Sequence, residues 1–406
     1  MLYTVGMGIF SSLKKKKSER VLLGSIGSAT VVGAFISIEA GITTVTATVS
    51  TDIAALSDLS LSQFEKEMEK ALRQTLGSLA KLHSPAPDRT VVYFSSPWYA
   101  SQVRIAKMSR PSPFVVTKTV LSDMIARELK AFEDEEIAGS RGGKESLRAI
   151  ESKVIQVKLN GYPTAEPANL SASELEISIF LSVAQERTLK GVEEIITNEY
   201  HSPIVFSSFL SASFIVVRDF FPHESDYLLV EVGGEVTDVT LVRESALIQS
   251  ASVPLGSNFI LRRLSTGLKR SVSESVSLCT LYLEDKVEAS IKDACARILT
   301  EAKDEWLQSF QKVLFSVSNE LSIPDTVLLS VGTDIAPWFI DTIRREKFNQ
   351  YALTEKEFKV IVLNAEIFHE SLSFAPGVPR NPCIIIEALA STRMAEHANS
   401  LTPSKK

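Results

Sequence analysis

Three cysteines in 406 residues, Cys279, Cys295 and Cys383, are too few and too far apart for a disulfide framework, and they suit a reducing compartment. The five histidines, His83, His201, His223, His369 and His397, never fall at metal-ligand spacing, so a zinc site is not expected. There is no basic excess. Lys and Arg total 43 against 49 Asp and Glu, a formal net charge of -6, which argues against nucleic acid as a partner. Disorder as the main state is excluded too, because 45% of residues are apolar and 23% charged, the balance of a globular protein. The length is enough for two or more domains at ~100–200 residues each.

One stretch imitates a membrane anchor. Lys14 to Lys17 precede the run from Val21 to Ile38, which carries no charge. A membrane helix needs ~20 apolar residues and often has such a basic flank. Gly24, Gly27 and Gly33, with many β-branched neighbours, favour instead two buried strands joined by a tight turn. The lysine run then reads as a solvated tail, or as a weak contact to an anionic membrane surface at ~1 kcal/mol per lysine.

Periodicity sets out the rest. Residues 21–27, 30–39 and 44–50 read as three strands, followed by a helix over 61–82 with Phe64, Met68, Leu72, Leu76 and Leu79 on one face. A strand is expected at 91–94 and a helix at 118–132. The acidic run Glu133 to Glu136 leads into Gly139–Lys144, whose glycines resemble a phosphate loop but lack its Ser or Thr after Lys144. It reads as a surface loop. Strands are expected at 154–159, closed by Asn160-Gly161, and at 174–183, then a helix at 188–200. A second group of strands follows at 227–232, 236–242 and 247–253. A long, broken helix is expected over 285–321, a strand at 326–331, and a helix at 336–348. The three-strand meander followed by helices thus occurs twice.

Three glycine turns carry the chemistry. Ser25-Ile26-Gly27-Ser28-Ala29-Thr30 and Glu231-Val232-Gly233-Gly234-Glu235-Val236-Thr237-Asp238 each join two apolar strands. Glycine lets backbone approach a ligand closely, and successive N–H groups form an anion nest. Two such turns facing each other would clamp a polyphosphate. A third, Val331-Gly332-Thr333-Asp334, ends a strand and opens a helix.

In these motifs and their order the chain resembles the actin-like ATPase superfamily, in the branch of the pilus assembly protein PilM and the cell-division protein FtsA. Residues 25–29 and 231–238 are similar to that branch's two phosphate loops. Pro254 to Ile260, with Gly256, resembles the segment after the second loop, and 329–337 resembles its adenosine loop. The resemblance implies an α/β fold of two actin-like (ribonuclease H-like) lobes with a small inserted strand-helix-strand domain. It implies a basic tail at 1–20, a first lobe at 21–89 completed at 186–226, an insert at 90–185, a second lobe at 227–396 and a disordered tail at 397–406.

The resemblance also names a site. Asp238 and Glu231 are the catalytic candidates. Ser25, Gly27, Ser28, Ala29, Gly233, Gly234, Glu235, Thr237, Gly256, Gly332, Thr333 and Asp334 are the candidates for binding nucleotide; ATP and Mg are the cofactors implied, neither of them assured, and no metal ligand is assigned. Three departures count against turnover. Ser25 replaces the first loop's Asp, Glu231 replaces the second loop's Asp, and Glu235 stands where that loop has a third glycine. Phosphoryl transfer depends on magnesium neutralising the phosphate oxygens. A lost carboxylate weakens the metal site, and an added one repels the phosphate.

The function implied is a cytoplasmic scaffold, peripheral at the inner face of the membrane, that binds nucleotide weakly or not at all. Its partner would be the cytoplasmic segment of an inner-membrane protein in pilus or secretion assembly or in cell division, with self-association also open. Two alternatives remain: an active, polymerising Mg-ATPase, and an anchored protein spanning with 21–38.

Overall fold

The computed structural model describes residues 18–54, 60–82, 86–139, 146–318, 322–345 and 357–401. The lysine run, the glycine loop from 140 onward and residues 402–406 lie outside them.

The first lobe opens with a meander of β1 (Glu19–Ile26), β2 (Thr30–Glu39) and β3 (Ile42–Asp52). β1 is buried from Val21 onward, as a strand covered on both faces must be, which explains its charge-free sequence. The stretch 21–38 is therefore two strands and not a membrane span. Among the described residues no helix is long and apolar enough to cross a membrane. Helix α1 (Leu61–Ala80) starts at a capping box in which Ser60 and Gln63 satisfy each other's backbone amides. It buries Met68, Leu72, Leu76 and Leu79, and it lies so close to the sheet that a Cβ on Gly33 would stand 3.0 Å from Thr75. β4 (Arg89–Phe94) then runs parallel to β1.

The inserted domain comprises β5 (Ala100–Val115), α2 (Lys118–Gly139), β6 (Leu147–Leu159), β7 (Tyr162–Pro163) and β8 (Ser171–Gln185). Its sheet has the order β5-β8-β6-β7 and its own core, where Met124 and Phe132 of α2 meet Ile177, Ile179 and Leu181. Asn160 and Gly161 both hold positive φ, as a tight hairpin turn requires. The chain returns through α3 (Glu186–Glu199), β9 (Ile204–Ser208) and α4 (Phe209–Phe220), with β9 parallel to β4.

The second lobe repeats the first. β10 (Tyr227–Val232), β11 (Thr237–Arg243) and β12 (Ala246–Val253) form the meander. Helices α5 (Ser257–Leu268), α6 (Val272–Leu283) and α7 (Ala289–Ser318) follow, then β13 (Thr326–Val331), α8 (Ala336–Arg345) and β14 (Lys359–Val362). The sheet order β12-β11-β10-β13-β14 matches β3-β2-β1-β4-β9 strand for strand. Trp306 and Trp338 pack in this lobe's core, Trp306 stacked on Phe310 at 4.6 Å between centroids.

The chain then crosses back. β15 (Leu372–Phe374) pairs with β3, and α9 (Pro382–Leu401) buries Ile384, Ile385, Ile386 and Leu389 in the first lobe's core.

Several expectations change. The second lobe does not run unbroken to 396, since β15 and α9 belong to the first. The four-stranded sheet begins at Ala100 rather than 90, because β4 is a central strand of the first lobe. The expected broken helix over 285–321 is the single α7, preceded by α6. The tail expected from 397 is helical through Leu401.

Candidate functional site

The two glycine turns do face each other, and they touch. Within each, a glycine amide closes the hairpin: Gly27 N–H donates to the Thr30 carbonyl at 3.0 Å, and Gly233 N–H to that of Val236 at 2.9 Å. Between them, the Glu235 N–H donates to Ser28 Oγ at 2.9 Å. A Cβ on Gly234 would lie 2.5 Å from the Cβ of Ala29 and 2.7 Å from its nitrogen. No phosphate fits between surfaces in that contact. Gly256 has a similar role behind the second turn, where a Cβ would meet the carbonyl oxygens of Gly233 and Gly234 at 2.4 Å. Those carbonyls accept the first amides of α5, from Ser257 at 2.9 Å and Asn258 at 2.8 Å. Thr237 Oγ1 donates to the Leu255 carbonyl at 2.8 Å. These glycines serve backbone packing.

Glu235 does not point into a nest. Its carboxylate accepts from Asn258 Nδ2 at 2.8 Å and from both Arg262 terminal nitrogens at 2.8 and 2.7 Å. Burial alone would raise its pKa, but Arg262 and Asn258 outweigh burial and hold the group below the ordinary range.

Glu231 and Asp238 lie directly opposite each other on β10 and β11, both buried. Burial pushes the Glu231 carboxyl well above its usual range, and Asp238 adds to the shift while Ser95 opposes it. Asp238 is also raised by burial, against hydrogen bonds from Ser252 and Ser96. Ser25 donates to Glu387 Oε1 of α9 at 2.7 Å. Glu387 is 0% exposed, and burial drives its carboxyl well above the ordinary range. Glu231 Oε2 and Glu387 Oε2 have no hydrogen-bond partner among the described residues. Sequence reasoning missed Glu387. Its signal is one acid inside the apolar run Ile384-Ile385-Ile386-Glu387-Ala388-Leu389.

The third turn lies beside the second, because β13 pairs with β10 up to Val331 and Val232. Gly332 has open space around it, and Thr333 and Asp334 are exposed, with their side chains 3.4 Å apart. Cys279 is buried in the second core, its thiol pushed up to about 11 by burial and the neighbouring Cys295. The residues present do not fit a magnesium-bound polyphosphate. The turns are closed on each other, Ser25 offers no carboxylate, and among the described residues no cluster of three His, Cys, Asp or Glu is placed to hold a metal.

A second concave feature lies where the inserted domain meets the first lobe, with Leu247 of β12 in the second lobe also in its lining. A cavity of about 410 Å³ has Val154, Phe180 and Phe214 as apolar lining and Lys153, Arg218 and Arg393 as cations. Lys153 is held by Glu151 at 2.6 Å and Ser211 at 2.7 Å, and Arg393 by Asp219 at 3.1 Å. β6 contributes Lys153 to Ile155 to this lining. It is paired by β8 on one side, and by β7 only at Lys158 and Leu159. Elsewhere, just before β5, Trp98 stacks on Phe64 at 4.7 Å, and its indole N–H donates to the Gly27 carbonyl at 2.7 Å. The first glycine turn is thereby tied to the root of the inserted domain.

Two lobes of matching strand order, opposed hairpin turns and an inserted sheet constitute the actin-like fold. No protein-family model matches the chain, and no curated relative does. Among solved structures, the chain is similar to one from a PilM–PilN type IV pilus biogenesis complex, at 14% identity over 94% of this chain and 99% of that one, with a TM-score of 0.62. It is also similar to the ethanolamine utilization protein EutJ from Carboxydothermus hydrogenoformans, at 9% identity over 93% and 91% of the two chains and a TM-score of 0.42. At 10% identity it matches a Bacteroides thetaiotaomicron protein with an actin-like ATPase fold, over 95% and 99% of the chains with a TM-score of 0.38.

Proposed function

We propose that this chain is a scaffold of actin-like fold that acts without nucleotide turnover and docks at the cytoplasmic face of a membrane to a short segment of a membrane protein. The observation that carries this reading is the cavity between the inserted domain and the first lobe. Apolar side chains line it for apolar anchors, cations stand among them, and β6 offers backbone that an extended peptide pairs with by strand addition. The likeness to the PilM–PilN structure supports a partner of that kind in pilus assembly. The departures at Ser25 and Glu235 support the absence of turnover.

The test is sedimentation with inverted membrane vesicles. Val154 is 45% exposed, so Val154→Asp leaves the fold intact while charging the cavity lining. The wild-type chain is expected to sediment, to be released by carbonate, and to lose binding when the vesicles are shaved with protease; Val154→Asp is expected to stay in the supernatant. Binding that resists carbonate, or that survives the substitution, refutes the reading.

A further inference from the structure

The two lobes meet at their hairpin turns, and each turn closes on the other. The Glu235 amide is held by Ser28 Oγ, Gly234 rests on Ala29, and the Glu235 carboxylate is fixed by Arg262 and Asn258 of α5. Behind this contact, the first amides of α5, a ready anion site in other settings, are engaged by the Gly233 and Gly234 carbonyls. We propose that the Ser28–Glu235 contact, backed by Arg262, is an internal latch that holds the two lobes together in place of a bound polyphosphate and keeps nucleotide out.

The chemistry is self-consistent. A turn amide that would hydrogen-bond a phosphate oxygen has a hydroxyl oxygen as acceptor instead. The Glu235 carboxylate brings a fixed negative charge to the N-terminal turns of α5, paired bidentately with a guanidinium on the same helix. Residue 234 has to be glycine, since any side chain drives into Ala29. Seen this way, Ser28 and Glu235 are complementary halves of one contact, and the departure of Glu235 from the phosphate-loop pattern is what completes the closure. The latch stands on these contacts and does not depend on the docking reading, which has a separate assay.

Amide hydrogen exchange on the full chain tests it. In the wild-type protein the Glu235 amide is expected to exchange slowly, and neither MgATP nor inorganic triphosphate is expected to change that rate. Ser28→Ala removes the acceptor and is expected to speed exchange at Glu235 at least tenfold, with β6 and β8 of the inserted domain unchanged. Gly234→Ala, which wedges the turns apart, is expected to speed exchange in both turns. An unprotected Glu235 amide in the wild type overturns the proposal, as does slower exchange at both turns with MgATP. So does a Ser28→Ala protein that exchanges like wild type.

Discussion

Two glycines that look alike in sequence separate sharply once their surroundings are known. Gly256 has carbonyl oxygens where a Cβ would go, whereas Gly332 has nothing within 4 Å and no positive φ. Gly256→Ala is expected to cost ~1–3 kcal/mol by overpacking, and Gly332→Ala to be neutral or to stabilise by ~0.5 kcal/mol through the unfolded chain. Urea midpoints of the two variants check this directly. Glu387 gives a pH signature. Burial keeps its carboxyl protonated in the folded chain well above the usual range, with Ser25 opposing and Glu231 reinforcing, while the unfolded chain releases that proton near ~4.3. Above that value the folded state binds more protons than the unfolded one, so stability falls as pH rises, by at most ~1.4 kcal/mol per pH unit for one group. Glu387→Gln is expected to flatten the decline in urea midpoint as the pH rises above about 5. Parallel slopes would contradict the assignment. The motif residues 25–30 and 231–238 were readable because glycine in a turn between apolar strands has few meanings. That they bind each other was not, because a nest filled by a ligand and a nest filled by another turn demand the same glycines.

Elements differ in how far local pattern reveals them. The two meanders were legible, since β-branched runs interrupted by glycine permit little else. β5 was missed because its outer half, around Arg110, Pro111 and Pro113, is exposed and proline-rich and lacks strict alternation. α7 was expected to break, yet Trp306 and Phe310 bury one continuous stripe along it and no proline interrupts it. α9 escaped notice because it is apolar nearly all round at its start, the mark of a helix enclosed by others. Its removal has a predictable effect. Ile384, Ile385, Ile386 and Leu389 are each worth ~1.5–3 kcal/mol when buried, which together rivals the ~5–15 kcal/mol stability of a typical domain. A chain ended after Asn381 is therefore expected to lose cooperative unfolding by circular dichroism, and a truncated protein that still melts sharply would show the helix to be dispensable.

At the scale of the whole molecule, the lobes are joined by more than the turns. Tyr227, Leu229 and Leu328 of the second lobe belong to the same apolar cluster as α4 and α9 of the first. The lobes are expected to unfold in one calorimetric transition. A ligand present at a hundredfold its Kd adds ~2.7 kcal/mol, so an ordinary nucleotide site would raise Tm visibly in about 5 mM MgATP. No such rise is expected here, and one of several degrees would restore the case for an ATPase. The duplicated sheet order was anticipated by the repeated meander, but the return of the chain to its first lobe was not. Short range governs periodicity, and nothing local in β15 or α9 says which sheet they will join.

That return has a bearing on how the protein is made. The Ser25–Glu387 bond joins positions 362 apart. At ~5–20 residues per second of synthesis, β1 leaves the ribosome roughly 20–70 seconds before the helix that covers it. The second lobe, completed within that interval, has an opportunity to fold while the first still shows its apolar sheet. An early-emerging sheet left bare for so long is a natural client for a chaperone.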